Sequence, residues 1–156
     1  MQAGNLLRVR SRPATDWTSA LAQNASEALA LPLPEAIAAG KHCRARIRAI
    51  DVVSSDNLAW ELLFFTNSRV QLPIALASDG FCGRARFTEA EGGQVGLVLL
   101  SNYYYHRADL NIPYEDTDLL GRLNVVLVNR SPIAKTAASA GGEFLAIFTL
   151  EGTLGW

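Results

Sequence analysis

From Cys43 onward the chain runs in short apolar or alternating stretches cut by turn chemistry. No stretch sustains the apolar stripe that a helix needs. "HCRARIRAIDVVS" sets Ala45, Ile47 and Ala49 against Arg44, Arg46 and Arg48, which is the period of a strand with one dry face. "SSDN" is turn chemistry. "LAWELLFFTN" is almost continuously apolar, as in a strand that is buried on both faces or meets a partner. Three more strand candidates, near 69–77, 81–88 and 94–105, are bounded by "SDG" and "EGG". "LNVVLVNRS" and "GEFLAIFTLEG" are the clearest strands, and the small-residue loop "PIAKTAASAGG" joins them.

That makes about eight strands, with no helix alternating between them. The pattern predicts an all-β protein, an antiparallel, jelly-roll-like β-sandwich. Ahead of it, "NLLRVRSRP" alternates Leu7, Val9 and Ser11 with Arg8, Arg10 and Arg12, a short strand or extended arm stopped by Pro13. Residues 13–40 are rich in Ala and Leu but broken by Pro32 and Pro34, and read as an irregular arm lying on a surface, with one or two helical turns at "ASEALAL". The expected division is an N-terminal arm over 1–40 and a sandwich domain over 41–156.

At 156 residues the chain suits one domain that can bury its own core. Its net charge of −1 supplies no global pull towards nucleic acid or anionic lipid. The charge is uneven, because Arg8, Arg10, Arg12, Lys41, Arg44, Arg46 and Arg48 outnumber Asp16, Glu27 and Glu35 in the first third. The rest is acidic, an asymmetry that suits subunits packing against neighbours. No apolar run is long enough to cross a bilayer, and the N-terminus has no secretory h-region. Cys43 and Cys82 are too few for a disulfide scaffold and have no zinc spacing, so no metal or cofactor is expected.

The recurring arginines are the first candidates for function: Arg8, Arg10 and Arg12, then Arg44, Arg46 and Arg48, then Arg84 and Arg86. Each set lies on one strand face. Nucleic-acid binding normally adds exposed aromatics to such a face, and here the alternate residues are Val, Ser, Ala and Ile. The expectation is a wet or subunit-facing surface. "SNYYYHRADLNIPYEDTD" is the second candidate, holding Tyr103, Tyr104, Tyr105, His106, Asp109, Glu115, Asp116 and Asp118. An enzyme would need His106 and at least two of those carboxylates to converge in a pocket. Glu115, Asp116 and Asp118 could together hold Ca²⁺ through oxygen ligands. Contact chemistry fits the segment better, since Tyr and Arg are enriched at interfaces. Cys82 as a nucleophile would need a base, and His42 and His106 are the only histidines. Trp60 reads as core, with Trp17 and Trp156 as anchors; a sugar-binding module would instead expose Trp or Tyr on a sheet face. The expected interface set is Arg8, Arg10, Arg12, Trp17, Arg44, Arg46, Arg48, Tyr103 and Tyr105, with no catalytic residue.

"LLGRLNVVLVNRSPIAKTAASAGGEFLAIFTLEG", the C-terminal third, resembles the closing strands of small β-sandwich virion proteins of tailed bacteriophages. A strand ending in "LVNRS", a loop of Ala, Ser, Gly and Thr and a final strand are the shared texture. The capsid-decorating (cement) proteins have this look. The resemblance implies a non-enzymatic virion component made in the host cytoplasm, a dimer or trimer bound to the major capsid protein or other virion subunits. It brings no catalytic or binding residues with it. A head–tail connector, tail or baseplate component, and a carbohydrate-binding module, are the other classes that the chain fits.

Overall fold

The computed structural model describes residues 6–33, 43–67, 80–95, 102–117 and 121–152. Among them, in chain order, lie β1 (Leu6–Arg10), β2 (Ser26–Pro32), β3 (Cys43–Ser54), β4 (Trp60–Phe65), β5 (Phe81–Phe87), β6 (Gly93–Val95), β7 (Asn102–Arg107), β8 (Ile112–Asp116), β9 (Arg122–Asn129) and β10 (Phe144–Gly152). One sheet has the order β1-β10-β3-β7-β6, with β8 also paired to β3; the other has the order β2-β9-β4-β5. All the pairings are antiparallel.

These orders describe one long ribbon, rolled up. β1 pairs β10, β2 pairs β9, β3 pairs β7 and β8, and β4 pairs β5. Each ladder lies in the opposite sheet from the one before it. The contacts β10 to β3 and β9 to β4 then close the roll. This is jelly-roll connectivity, and the sandwich is all-β as the sequence predicts. The candidate near 69–77 lies outside the described residues.

The core is an aromatic chain between the sheets. Trp17 meets Phe144 and Phe148 at centroid distances of 5.4 and 6.5 Å, Trp60 meets Phe144 at 4.9 Å, and Phe64 meets Phe148 at 5.7 Å. Most of these contacts are edge-to-face, which adds about 0.5–1.5 kcal/mol per pair beyond burial. All six residues of β4 are buried. Its inner face carries Trp60, Leu62 and Phe64, while Leu63 and Phe65 join Val126 and Val128 of β9 in a second cluster on the far side of that sheet.

Two local features depart from the sequence reading. Residues 13–40 were expected to be irregular, yet Ser26–Pro32 is a strand paired along its length with β9. Its Ala, Leu and Glu are good helix formers, but intrinsic propensity is small beside tertiary pairing, and the edge of β9 overrides it. Pro32 sits at the end of the ladder, where a missing N–H costs little. The second departure is in β3. Ala49 was expected to face inwards with Ala45 and Ile47. A β-bulge at Arg48 shifts the register, since Thr149 lies opposite Ala49 and Leu150 opposite Ile47. One extra residue flips the faces that follow. The core side therefore runs Ala45, Ile47, Ile50, Val52.

The bulge also explains why β7 and β8 are separate. They form one return strand interrupted at residues 108–111, and Leu110 N donates to the carbonyl of Arg48 at 2.9 Å.

Two tyrosines make the fold sensitive to alkali. The Tyr105 hydroxyl accepts from Leu58 N at 3.0 Å and faces Asn57 Oδ1 at 2.7 Å; burial pushes its pKa up to about 12. Burial also pushes Tyr114 well above its usual value. A raised pKa means the folded chain keeps a proton that the unfolded chain releases from about pH 10. Stability is therefore intact below pH 10 and falls as the pH rises towards 12, by up to about 1.4 kcal/mol per pH unit for each tyrosine. Lys135, whose pKa burial lowers, acts in the opposite sense, but only below its ordinary value of 10.5. Urea midpoints measured from pH 8 to 12 should hold to about pH 10 and then drop, with a shallower drop in Tyr105→Phe. A flat profile to pH 12 contradicts this.

Candidate functional site

The outer face of the six-stranded sheet gathers the first arginine sets. β1 is its edge strand, and Arg8 and Arg10 are exposed on it opposite Thr149 and Ile147 of β10. Two strands away, Arg44, Arg46 and Arg48 are exposed on β3. The face is basic but laced with cross-strand partners. Arg44 Nε pairs with Glu115 at 3.3 Å and Arg48 Nε with Glu151 at 2.7 Å. Arg46 Nη1 donates to Asn111 Oδ1 at 2.8 Å. Exposed pairs of this kind contribute less than about 1 kcal/mol each to stability. They act instead to hold guanidiniums upright on a rigid surface.

On the same face, β7 presents Tyr104 and His106. Their rings stack at 6.2 Å and 11°, and both bond Asp51 Oδ1, His106 Nδ1 at 2.5 Å. The hydrogen bond to Asp51 raises the Tyr104 pKa.

The carboxylates of the 109–118 segment do not gather around His106. Glu115 points out to Arg44, and Asp116 is fully buried and accepts from Arg122 N at 3.0 Å. Successive residues of a strand face opposite ways, so Glu115 and Asp116 cannot share a cation. Asp109 sits in the loop before β8 at φ 56°. Asp118, His42 and Trp156 lie outside the described residues. Cys82 donates to the Gly80 carbonyl at 3.6 Å, and burial pushes its thiol pKa up, against nucleophilic use. Among the described residues, no three His, Cys, Asp or Glu side chains group as metal ligands. No helix among them is long and apolar enough to cross a membrane.

Two expected interface residues are misplaced. Trp17 is 1% exposed, with Nε1 donating to the Glu27 carbonyl at 3.1 Å, and Tyr105 is 0% exposed. Both are core, so neither reaches a partner. Tyr103 packs half-buried against the same core. The outward tyrosine is Tyr104, which was not in the expected set. Strand parity gives Tyr103 and Tyr105 one face and Tyr104 the other; which face is dry depends on the bulge upstream. Arg12 is exposed in the turn after β1, where its N–H donates to Asp16 Oδ2 at 2.8 Å.

A second basic site joins Arg84 and Arg86 to Arg130 and Glu61, two residues that the sequence reading did not place with them. On β4, Glu61 is 1% exposed, and three guanidiniums surround it. Arg86 Nε lies 3.1 Å and Arg130 Nε 3.0 Å from Oε2, and Arg84 Nη1 lies 3.8 Å from Oε1. Arg84 and Arg86 come from β5, opposite Leu63 and Glu61. Arg130 belongs to the "NRS" that ends β9. That tripeptide organises the end of the sandwich. Asn129 Nδ2 donates to the carbonyls of Leu21 and Ile133 at 2.9 and 2.8 Å, and the Ser131 hydroxyl accepts from Ala59 N at 2.7 Å.

No family model matches the chain, and no curated protein matches it. Among solved structures, the sandwich is similar to the coat protein of tobacco streak virus, with 12% identity over 97% of this chain and 90% of that one at a TM-score of 0.39. It is similar also to the empty head of turnip yellow mosaic virus, with 9% identity over 99% and 85% and a TM-score of 0.31. These structural neighbours are plant-virus proteins rather than components of tailed phages, and the likeness assigns no residue a role.

Proposed function

We propose that the chain is a non-enzymatic structural subunit of a virion, of the capsid-decorating kind, that docks on neighbouring subunits through the outer face of β1, β10, β3 and β8. The observation that carries this reading is the arginine face itself. Arg8, Arg10, Arg44, Arg46 and Arg48 stand on one sheet surface beside an edge strand, and only Arg44 and Arg48 have carboxylate partners there among the described residues. The surplus charge fits an acidic shell surface. Jelly-roll topology supports the reading, since capsid domains are among its common uses. So does the phage-like texture of the C-terminal third. The partner is the major capsid protein or another virion subunit, and the chain self-associates as a dimer or trimer.

Native mass and co-sedimentation with empty shells test this. A dimer or trimer, or a monomer that sediments with shells, supports it. A large closed ring points to a connector or tail component. One observation favours a second reading: Tyr104, stacked on His106 and flanked by Asp51, is a sheet-face aromatic with polar neighbours, as sugar binding requires. A monomer that ignores shells but is retained on glycans, and loses that retention in Tyr104→Ala, replaces the first reading with the second.

A further inference from the structure

The cluster around Glu61 has an imbalance that stability does not require. One guanidinium suffices to neutralise a buried carboxylate, and here there are three, drawn from β5 and from the end of β9. Their side chains are 47%, 59% and 40% exposed, while that of Glu61 is 2% exposed. Arg86 and Arg130 both spend Nε on the same oxygen, and Arg130 Nη1 is held by Asn24 Oδ1 at 3.0 Å. Among the described residues, neither Nη group of Arg86 nor Nη2 of Arg130 has a protein partner. Both arginines line a recess of about 340 Å³ with Trp60, Phe87 and Thr88. Of the nearby carboxylates, Glu91 is neutralised by Arg107, while Glu89 accepts from the Ser131 hydroxyl and keeps its charge.

We propose that this recess is a phosphate-binding site, in which Glu61 is the buried counter-ion that fixes the arginines, Arg86 and Arg130 bind the ligand, and Arg84, outside the recess lining, shares the charge of Glu61. Counted against both Glu61 and Glu89, the three arginines of the cluster still leave a surplus positive charge, which suits a phosphate anion. Planar guanidiniums arriving from different strands offer paired N–H groups to tetrahedral oxygens, where lysines would offer only point charges. Trp60 and Phe87 are buried at 1% and 2% exposure and form a floor with no face for stacking a base. Recognition therefore ends at the phosphate and is blind to sequence. This inference is independent of the docking face, which lies on the other sheet.

Titration of the whole protein with inorganic phosphate at pH 7.5, at ionic strength held constant with chloride and followed by calorimetry, tests it. One saturable site is expected. Arg86→Gln/Arg130→Gln should weaken binding about ten- to a hundredfold, the loss of one or two charge-assisted hydrogen bonds. Arg8→Gln/Arg10→Gln, on the other sheet, should bind as the parent does. If the first pair fails to fold with Glu61 left buried, the single variants Arg86→Gln and Arg130→Gln, each of which leaves Glu61 one close guanidinium, serve instead and should each weaken binding. No saturable heat, or equal affinity in the recess variants, overturns the proposal. An oligothymidylate arm identifies the source of the phosphate. Competition with inorganic phosphate that is lost in the recess variants assigns a phosphodiester; binding of inorganic phosphate alone assigns a free dianion. Oligonucleotide binding that displaces no phosphate and survives the variants, with no phosphate site detected, overturns it.

Discussion

Lys135→Met should destabilise the fold by about 3–5 kcal/mol, the cost of removing a buried charge from its hydrogen-bond partners. Lys135 is 1% exposed, and its ammonium has carbonyls in place of a carboxylate. Nζ donates to the carbonyls of Trp17, Ser19 and Thr136 at 3.0, 2.9 and 3.2 Å, with that of Gly142 at 3.5 Å. Methionine keeps the length and removes every donor, leaving those acceptors dry. The residue's backbone also pairs with Leu21, so it clasps the 17–21 segment to the 135–142 loop. For a domain of this size the change corresponds to a fall in Tm of roughly 10 °C. Thermal unfolding by circular dichroism measures it. A fall under about 2 °C would show that the carbonyls find water and that the clasp is dispensable.

The second large effect concerns docking. Arg44→Glu/Arg46→Glu/Arg48→Glu should abolish co-sedimentation with shells, because it reverses three charges on the face assigned to the partner. Folding should survive. The side chains of Arg44 and Arg48 are 47% and 43% exposed, and the pairs lost are surface pairs of small worth. New repulsion against Glu115 and Glu151 costs at most about 1 kcal/mol per pair at this exposure. Retained binding by a folded variant removes this face from the proposed interface. Unfolding of the variant would instead show that the stripe is structural.

How much of this was legible in the sequence differs from element to element. β9 and β10 announce themselves, because a strand that fills a core must be apolar at every second position or throughout. β2 does not, because its ladder with β9 is a demand of the neighbour and leaves no mark on "SEALALP". The bulge at Arg48 is silent too. No residue type there betrays an extra position, yet it decides which of Ala49 and Ile50 is buried. The Glu61 cluster shows the limit for sites. Its members lie at 61, 84, 86 and 130, and only the roll of the ribbon brings them together. A lone Glu in "LAWELLFF" was the one available signal, since a charge inside a strand dry on both faces must find a counter-charge. Asn129 and Ser131 were quoted as texture, and their hydrogen bonds give that texture a cause.

The rolled ribbon also governs the order of events during synthesis. β1 is made early, yet its partner β10 follows more than a hundred residues later, and β2 waits in the same way for β9. The ladders nearest in sequence are β6 with β7 and β4 with β5, and the ladders of β3, β2 and β1 nest outwards from β4 and β5. Pairing distances this long make for slow folding. A ribosome moving at about 5–20 residues per second therefore holds a growing chain whose first two strands present bare edges for several seconds. Arginines on such an edge repel a second nascent copy. Arg8 and Arg10, exposed on β1, should then help to keep that strand single until β10 arrives.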